Sequence, residues 1–304
     1  MATGLTLAGI GEALFDVFPD HQALGGAPLN VMFHAQQLLA PRGGRAILVS
    51  RVGQDRLGDE LVKTLHERGL DTSHIQTDPD RPTGEVIVDV TDPADPRYDI
   101  VTGVAWDSLW FDPQDEDLAR RCDAVCFGTL AQRDAQSRNS IYRFLDTARR
   151  AVRIFDVNLR QRFHDQHILR RSCELASVVK LNEAEVRVVC DALGVAMDEA
   201  DVTARAQALR ERYGFKLVAL TRGERGTALI HGGGVTEGHP VRYDPADGAD
   251  AVGAGDACTA GLMVSLVLRK PLDKVVALAN HCGAYVASQP GAVPVLPQAI
   301  LDMV

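Results

Sequence analysis

Short apolar runs alternate with longer amphipathic stretches along most of this chain. LTLAGIG at 5–11, RAILVSRVG at 45–53, DAVCFG at 123–128, VRIFDVN at 152–158, SVVKLN at 177–182 and KLVALT at 216–221 read as strands. Between them, PLNVMFHAQQLLA at 28–40, SRNSIYRFLDTARRA at 137–151, EAEVRVVCDAL at 183–193 and VTARAQALRERYG at 202–214 read as helices. In LGDELVKTLHERG, Leu57, Leu61 and Leu65 recur at the helical spacing, and Gly69 supplies a stop. Nearly continuous apolar strands that alternate with helices imply crossover units and a parallel sheet covered on both faces.

Residues 83–103, TGEVIVDVTDPADPRYDIVTG, break this alternation. Val86, Val88 and Val90 fall on one face, the pattern of a half-buried strand. Asp92, Pro93, Asp95 and Pro96 supply turn chemistry, and YDIVT at 98–102 is the returning strand. The segment therefore predicts a β hairpin outside the main sheet.

The 304 residues, 46% of them hydrophobic, suffice for one large core, and no repeat, low-complexity tract or linker divides them. A net charge of −9 argues against nucleic acid as a partner. The start lacks the charged region of a signal peptide, and no apolar run is long enough to span a bilayer. The scattered Cys122, Cys126, Cys173, Cys190, Cys258 and Cys282 read as reduced, buried thiols of a cytoplasmic protein rather than a zinc site.

Candidate chemistry concentrates in DGADAVGAGDACTAG at 247–261. The residues after Asp256 are apolar nearly all round, as in a buried helix. Gly253, Ala254 and Gly255 therefore form a small-residue turn that opens a helix, where unpaired N–H groups attract an anion. A carboxylate at Asp256 would repel that anion unless it serves a neighbour, by accepting the proton of a hydroxyl that attacks phosphorus. The bland alternative is an Asp that steadies its own helix N-terminus.

DAVGAGDACTAG resembles the C-terminal signature DTxGAGDxF of the ribokinase (PfkB) family of sugar kinases. The N-terminal signature is matched by Gly25-Gly26-Ala27-Pro28-Leu29-Asn30 and by Val52-Gly53-Gln54-Asp55 with Gly58. DVNLR at 156–160, NEAE at 182–185, TRGERG at 221–226, Ala279-Asn280 and GAVPVLP at 291–297 follow in family order. Ala251 and Cys258 depart from the usual Thr and Phe. The resemblance implies one ribokinase-like α/β domain over 1–304. Its open, mostly parallel sheet would be flanked by helices and carry a small β lid from about 12–20 and 83–105.

It also implies roles. Asp256 would be the base, and Gly253, Ala254 and Gly255 the anion hole. Asp16, Gly26 and Asn30 would contact sugar hydroxyls, with Asn158 and Arg160 at a strand end facing substrate or phosphate. Thr221, Gly223, Gly226 and Asn280 would contact ATP. Asn182 and Glu185 would help place Mg²⁺, largely through water, although the pair also suits a helix entry. Asp250, with Gly291 nearby, would belong to a loop for a monovalent cation such as K⁺. The lid would exclude water from the transferring phosphoryl group and offer a homodimer contact.

GGAPLN, FGTLAQR at 127–133 and PRYDIVTGVAWD at 96–107 resemble fructokinase segments, which points to fructose. A 2-keto-3-deoxygluconate kinase is the alternative, with Arg97 and Arg133 as candidate partners for its acid group, and a nucleoside kinase is third. A silent sugar or nucleotide binder has no use for Asp256. A dinucleotide-binding dehydrogenase is disfavoured because GIGEAL at 9–14 lacks the third small residue, and no GxxxxGK[ST] phosphate loop occurs. HDQH at 164–167 reads as a solvated helix start, Trp106 and Trp110 as packing anchors, and the Arg pairs at 120–121, 149–150 and 170–171 as solvated helix surface.

Overall fold

The computed structural model describes residues 4–89, 97–195 and 201–304. Val90, the expected turn residues Asp92, Pro93, Asp95 and Pro96, and the side chain of Arg97 lie outside the described residues.

Among the described residues, thirteen strands form two sheets. In chain order they are β1 (Thr6–Ile10), β2 (Leu14–Val17), β3 (Gln22–Gly25), β4 (Arg45–Gly53), β5 (Ile75–Asp78), β6 (Gly84–Asp89) and β7 (Arg97–Ile100). They continue as β8 (Ala124–Phe127), β9 (Val152–Asp156), β10 (Val178–Asn182), β11 (Leu217–Thr221), β12 (Thr227–His231) and β13 (Gly234–Glu237). The larger sheet runs β13-β12-β11-β10-β9-β8-β1-β4-β5. It is parallel from β5 through β11, and β12 and β13 extend it antiparallel.

Strand periodicity explains why this sheet has a core on each side. Successive side chains point to opposite faces. Val125 and Phe127 of β8 and Phe155 of β9 enter one apolar cluster, whereas Ala124, Cys126 and Ile154 enter the other. Helices Pro113–Arg121, Ala135–Thr147, Gln166–Leu175, Glu183–Leu193 and Val202–Tyr213 cover the first face. Helices Ala27–Leu39, Arg56–Glu67, Ala254–Val267 and Leu272–Val286 cover the second. Helix Ala254–Val267 is buried without a break from Ala257 to Ser265, which accounts for its lack of a polar face.

The smaller sheet runs β3-β2-β6-β7. The expected hairpin is present, with β6 antiparallel to β7 and Val88 paired with Tyr98. Strand β3 adds residues beyond the 12–20 segment, because β2 turns back on itself with Leu14 opposite Gly25. Val86 and Val88 bury their shared face, while Ile87 between them is exposed.

Two expectations need correction. Helix Ala135–Thr147 ends early, so Arg149 and Arg150 lie in a turn rather than on a helix. Trp106 is buried, but Trp110 is 61% exposed and anchors nothing through its ring. As expected, HDQH is a solvated helix start, in which Asp165 caps helix Gln166–Leu175 by accepting the Ile168 N–H. All six cysteines are free and buried. Among the described residues, no helix is long and apolar enough to cross a membrane.

Candidate active site

The residues singled out from sequence converge where the parallel strands end at their carboxyl edge, the place open α/β sheets hold ligands. Helix Ala254–Val267 starts there from Gly253, whose φ of 75° is left-handed. A Cβ at Gly253 would lie 2.5 Å from the Ala292 carbonyl oxygen, so close backbone contact also demands glycine. The Ala254 N–H turns back to the Ala251 carbonyl across 3.3 Å. The N–H groups of Gly255 and Asp256 have no acceptor within their own helix and are the donors an anion would meet.

Asp256 stands in that first turn, and Asn30 donates its Nδ2 to Asp256 Oδ2 at 2.8 Å. Asn30 is placed by helix Ala27–Leu39, which opens at Gly26. Gly26 has φ 109°, and a side chain there would strike the Glu12 carbonyl oxygen at 2.5 Å. Burial pushes the Asp256 carboxyl up to about 6, and the charge of Asp156 adds to this. The Asn30 hydrogen bond, Lys180 and Arg160 pull the other way. A carboxylate so placed is still ionised at neutral pH and is a better proton acceptor than an exposed Asp.

Two cavities meet at the turn, and both are lined by Ala251 and Gly255. The first, about 540 Å³, holds Asp16, Gly26, Asn30, Asn158, Arg160 and Asp256 on its wall. Val86, Tyr98 and Ile100 of the smaller sheet close one side. Burial raises Asp16 to about 6, opposed by Arg160. Asn158 has φ 41°, and its carbonyl and that of Val157 accept the Thr129 hydroxyl.

The second cavity, about 650 Å³, is lined by Thr221, Gly223, Gly226, Tyr243, Cys258 and Asn280. Asn280 is committed at both ends of its amide. It accepts from Thr227 N at 3.0 Å and donates to the His239 carbonyl at 3.0 Å. It shapes the wall and ties the start of β12 to the loop after β13.

Asn182 and Glu185 form a reciprocal helix cap, Asn182 Oδ1 taking the Glu185 N–H and Glu185 Oε2 the Asn182 N–H. Glu185 Oε1 also accepts the Leu159 N–H at 3.0 Å, which steadies the loop carrying Asn158 and Arg160. Each Glu185 oxygen is thus taken by a backbone N–H, which suits the residue to water-mediated rather than direct metal contact, and Asn182 lines a surface cavity with Thr221 and Gly223. Among the described residues, no group of three or more His, Cys, Asp or Glu is placed to hold a metal. Asp250 accepts from Val252 N and Gly291 N, so it joins the two expected loops.

Arg133 corrects an expectation. It pairs with Asp107 through Nε at 2.7 Å and Nη2 at 2.9 Å, and Nη2 also donates to the Val101 carbonyl. Its guanidinium lies 4.0 Å from the Trp106 ring centroid and 4.9 Å from that of Phe163. Both partners of the pair are buried, so Arg133 is not available to an acidic substrate.

Four site residues escaped sequence reasoning. Glu12 follows β1 into the first cavity. Beneath the turn, Lys180 Nζ meets both Asp156 oxygens at 3.0 and 3.1 Å, and the Thr259 hydroxyl donates to Asp156 Oδ2 at 2.6 Å. Burial opposes the Lys180 charge, but Asp156 outweighs it and the pKa is raised. A lysine inside the apolar run SVVKLN and a glutamate inside GIGEAL were the available signals.

Residues 12–299 match the model of the pfkB family of carbohydrate kinases. A fructokinase of Escherichia coli is 28% identical over 306 residues, covering 95% of each chain. A fructokinase double mutant of Vibrio cholerae O395, solved with fructose, ADP and potassium ion, superposes with a TM-score of 0.80 at 25% identity over 99% of each chain. An aminoimidazole riboside kinase of Salmonella enterica, complexed with its riboside and an ATP analog, shares the fold with a TM-score of 0.79 at 24% identity, covering 98% of this chain and 99% of that one.

Proposed function

The chain belongs to the pfkB family of carbohydrate kinases, and from that premise we propose that it transfers the γ-phosphoryl group of ATP to a primary hydroxyl of fructose. The observation that carries this reading is the placement of the Gly253–Asp256 turn between two cavities that share Ala251 and Gly255. A sugar in the first and a nucleotide in the second would bring hydroxyl and phosphorus together at Asp256.

Asp256 takes the proton of the attacking hydroxyl. The new oxygen–phosphorus bond forms as the bond from the γ-phosphorus to the bridging oxygen breaks, and ADP leaves with that electron pair. The N–H groups of Gly255 and Asp256 receive the charge of the migrating group. Arg160 faces the same space and balances it. Thr221, Gly223 and Gly226 border the nucleotide. Asn182 and Glu185 would hold Mg²⁺ through water, and that ion would offset phosphate charge. Asp250 and the Gly291 loop would hold a monovalent cation behind the turn.

Fructose is favoured over a sugar acid on electrostatic grounds. Glu12, Asp16 and Asp256 all line the sugar cavity. Among the described lining residues, Arg160 is the one cation outside an ion pair, since Lys180 is held by Asp156. Asp16 and Asn30 suit hydroxyls, and a site built for hydroxyls discriminates strongly against analogues that lack them. The smaller sheet acts as a lid over the sugar, and a homodimer through its outer face is consistent with Ile87 standing out from it, on the side opposite Val88 and Tyr98.

The test compares kcat/KM for fructose, ribose, 2-keto-3-deoxygluconate and an aminoimidazole riboside at saturating MgATP, read as ADP formed. Fructose should lead. Preference for the sugar acid or the riboside would overturn the substrate while leaving phosphoryl transfer in place.

A further inference from the structure

Glu12 is a buried acid that the reaction as described does not use. It is 3% exposed and lines the sugar cavity. Its Oε1 accepts the Ala27 N–H at 3.3 Å, at the start of the helix that carries Asn30. Its Oε2 is buried and has no hydrogen-bond partner in the protein. Asn30, 4% exposed on the same wall, repeats the pattern: Nδ2 is held by Asp256 while Oδ1 is buried and unpartnered. Buried oxygens are normally satisfied, so two unsatisfied ones on one cavity wall point to a ligand that completes both.

The two atoms ask for different groups. Asn30 Oδ1 can only accept, so it takes a hydroxyl proton. Glu12 sits among Asp256 and Asp16, with Arg160 and the paired Lys180 as the cations of the cavity and Tyr98 across it. Burial pushes its carboxyl up to about 7, and the charge of Asp256 adds to this against Arg160 and the backbone hydrogen bonds. Because Oε1 already receives an N–H, the proton of the neutral acid resides on Oε2.

We propose that Glu12 is a specificity-determining residue whose protonated Oε2 donates a hydrogen bond to a hydroxyl oxygen of the bound sugar, beside the hydroxyl that donates to Asn30 Oδ1. The cavity then selects a neutral acceptor with two hydroxyls on this flank. A deoxy analogue leaves a buried oxygen unpaired, and an anionic one repels the acid once it ionises. The inference rests on the sugar-kinase reading of the same cavity.

Two variants test it. In Glu12→Gln the amide Oε1 still accepts from Ala27 and Nε2 donates as Oε2–H does, but nothing ionises. Glu12→Met keeps the length and removes both hydrogen bonds. Fructose KM and kcat, and fructose binding by calorimetry without nucleotide, are measured from pH 5.5 to 8.5. Wild type should bind more weakly as pH rises through about 7. Glu12→Gln should lose that limb and retain any near 6, where Asp16 and Asp256 titrate. Glu12→Met should raise KM by roughly 10–100-fold with kcat within about threefold; should it fail to fold, the Gln variant decides alone. A Glu12→Gln profile with the wild-type limb near 7, or a folded Met variant with KM within about twofold, would overturn the proposal and leave Glu12 as a helix anchor. Wild type that neither binds nor phosphorylates sugar would overturn the functional reading and this inference together, whereas active wild type with unchanged variants overturns the inference alone.

Discussion

Replacing Asp256 by Asn should cost activity and gain stability at once, because the same burial serves one and opposes the other. The folded protein holds this carboxyl near 6 against an ordinary 3.8. At about 1.36 kcal/mol per tenfold change in proton affinity, ionising it in place costs the native state about 3 kcal/mol as a ceiling. Asp256 is only half-buried at the cavity wall, so water there reduces the penalty to about 1–2 kcal/mol. The sign follows from the raised value: stability is full below about 4, and is lost as pH climbs through about 6. Asparagine keeps the shape and the acceptor for Asn30 Nδ2 but never ionises. Asp256→Asn should therefore melt about 1.5–3 °C higher than wild type at pH 8, with the gain fading as pH falls towards 4. Turnover should drop by about 10²–10⁴ with nucleotide affinity little changed. Differential scanning calorimetry at several pH values and steady-state kinetics at saturating fructose read the two halves. A variant with near wild-type kcat refutes the base assignment. A variant that melts below wild type at pH 8 refutes the picture of a carboxylate penalised by burial.

In wild type, kcat/KM should fall on the acid side of about 6 as Asp256 and Asp16 take up protons; a profile flat to pH 5 would contradict their placement. Arg133→Leu should destabilise by about 3–5 kcal/mol in a denaturant melt, because Asp107 is left as a buried unpaired charge. A stable variant with altered preference for sugar acids would show that Arg133 serves substrate after all. The six buried thiols should resist a disulfide reagent at pH 8 until the protein unfolds, since burial raises Cys122 to about 12 and Cys190 to about 11; two or more fast-reacting thiols per native chain would refute this. Amide exchange in β2, β6 and β7 should slow under saturating fructose if the smaller sheet is a lid, and unchanged protection would count against it.

Most of the fold was legible because strand and helix periods are properties of the backbone, repeated every two or 3.6 residues and visible in a short window. The apolar runs at 5–11, 45–53, 123–128, 152–158, 177–182 and 216–221 became parallel strands of one sheet because each is buried on both faces. The hairpin at 83–103 stood out for the opposite reason, with Val86 and Val88 buried around an exposed Ile87. The site was legible where it is local, as in the glycine turn with its acid, and where a resemblance carried distant positions together.

Side-chain partnership was not legible, because it depends on which surfaces meet. Asn30 reaches Asp256 across 226 residues, and Thr259 reaches Asp156 across 103. Sequence placed Arg133 near the lid as a free cation, but packing delivered Asp107, Trp106 and Phe163 to it and removed it from the chemistry. Glu12 and Lys180 were single charges in apolar runs until folding put one on the wall of the cavity beside Asp256 and the other on Asp156. Local backbone geometry makes elements readable in order along the chain. The charge state and role of a buried side chain come from its solvation and its neighbours, which exist only once the elements have packed.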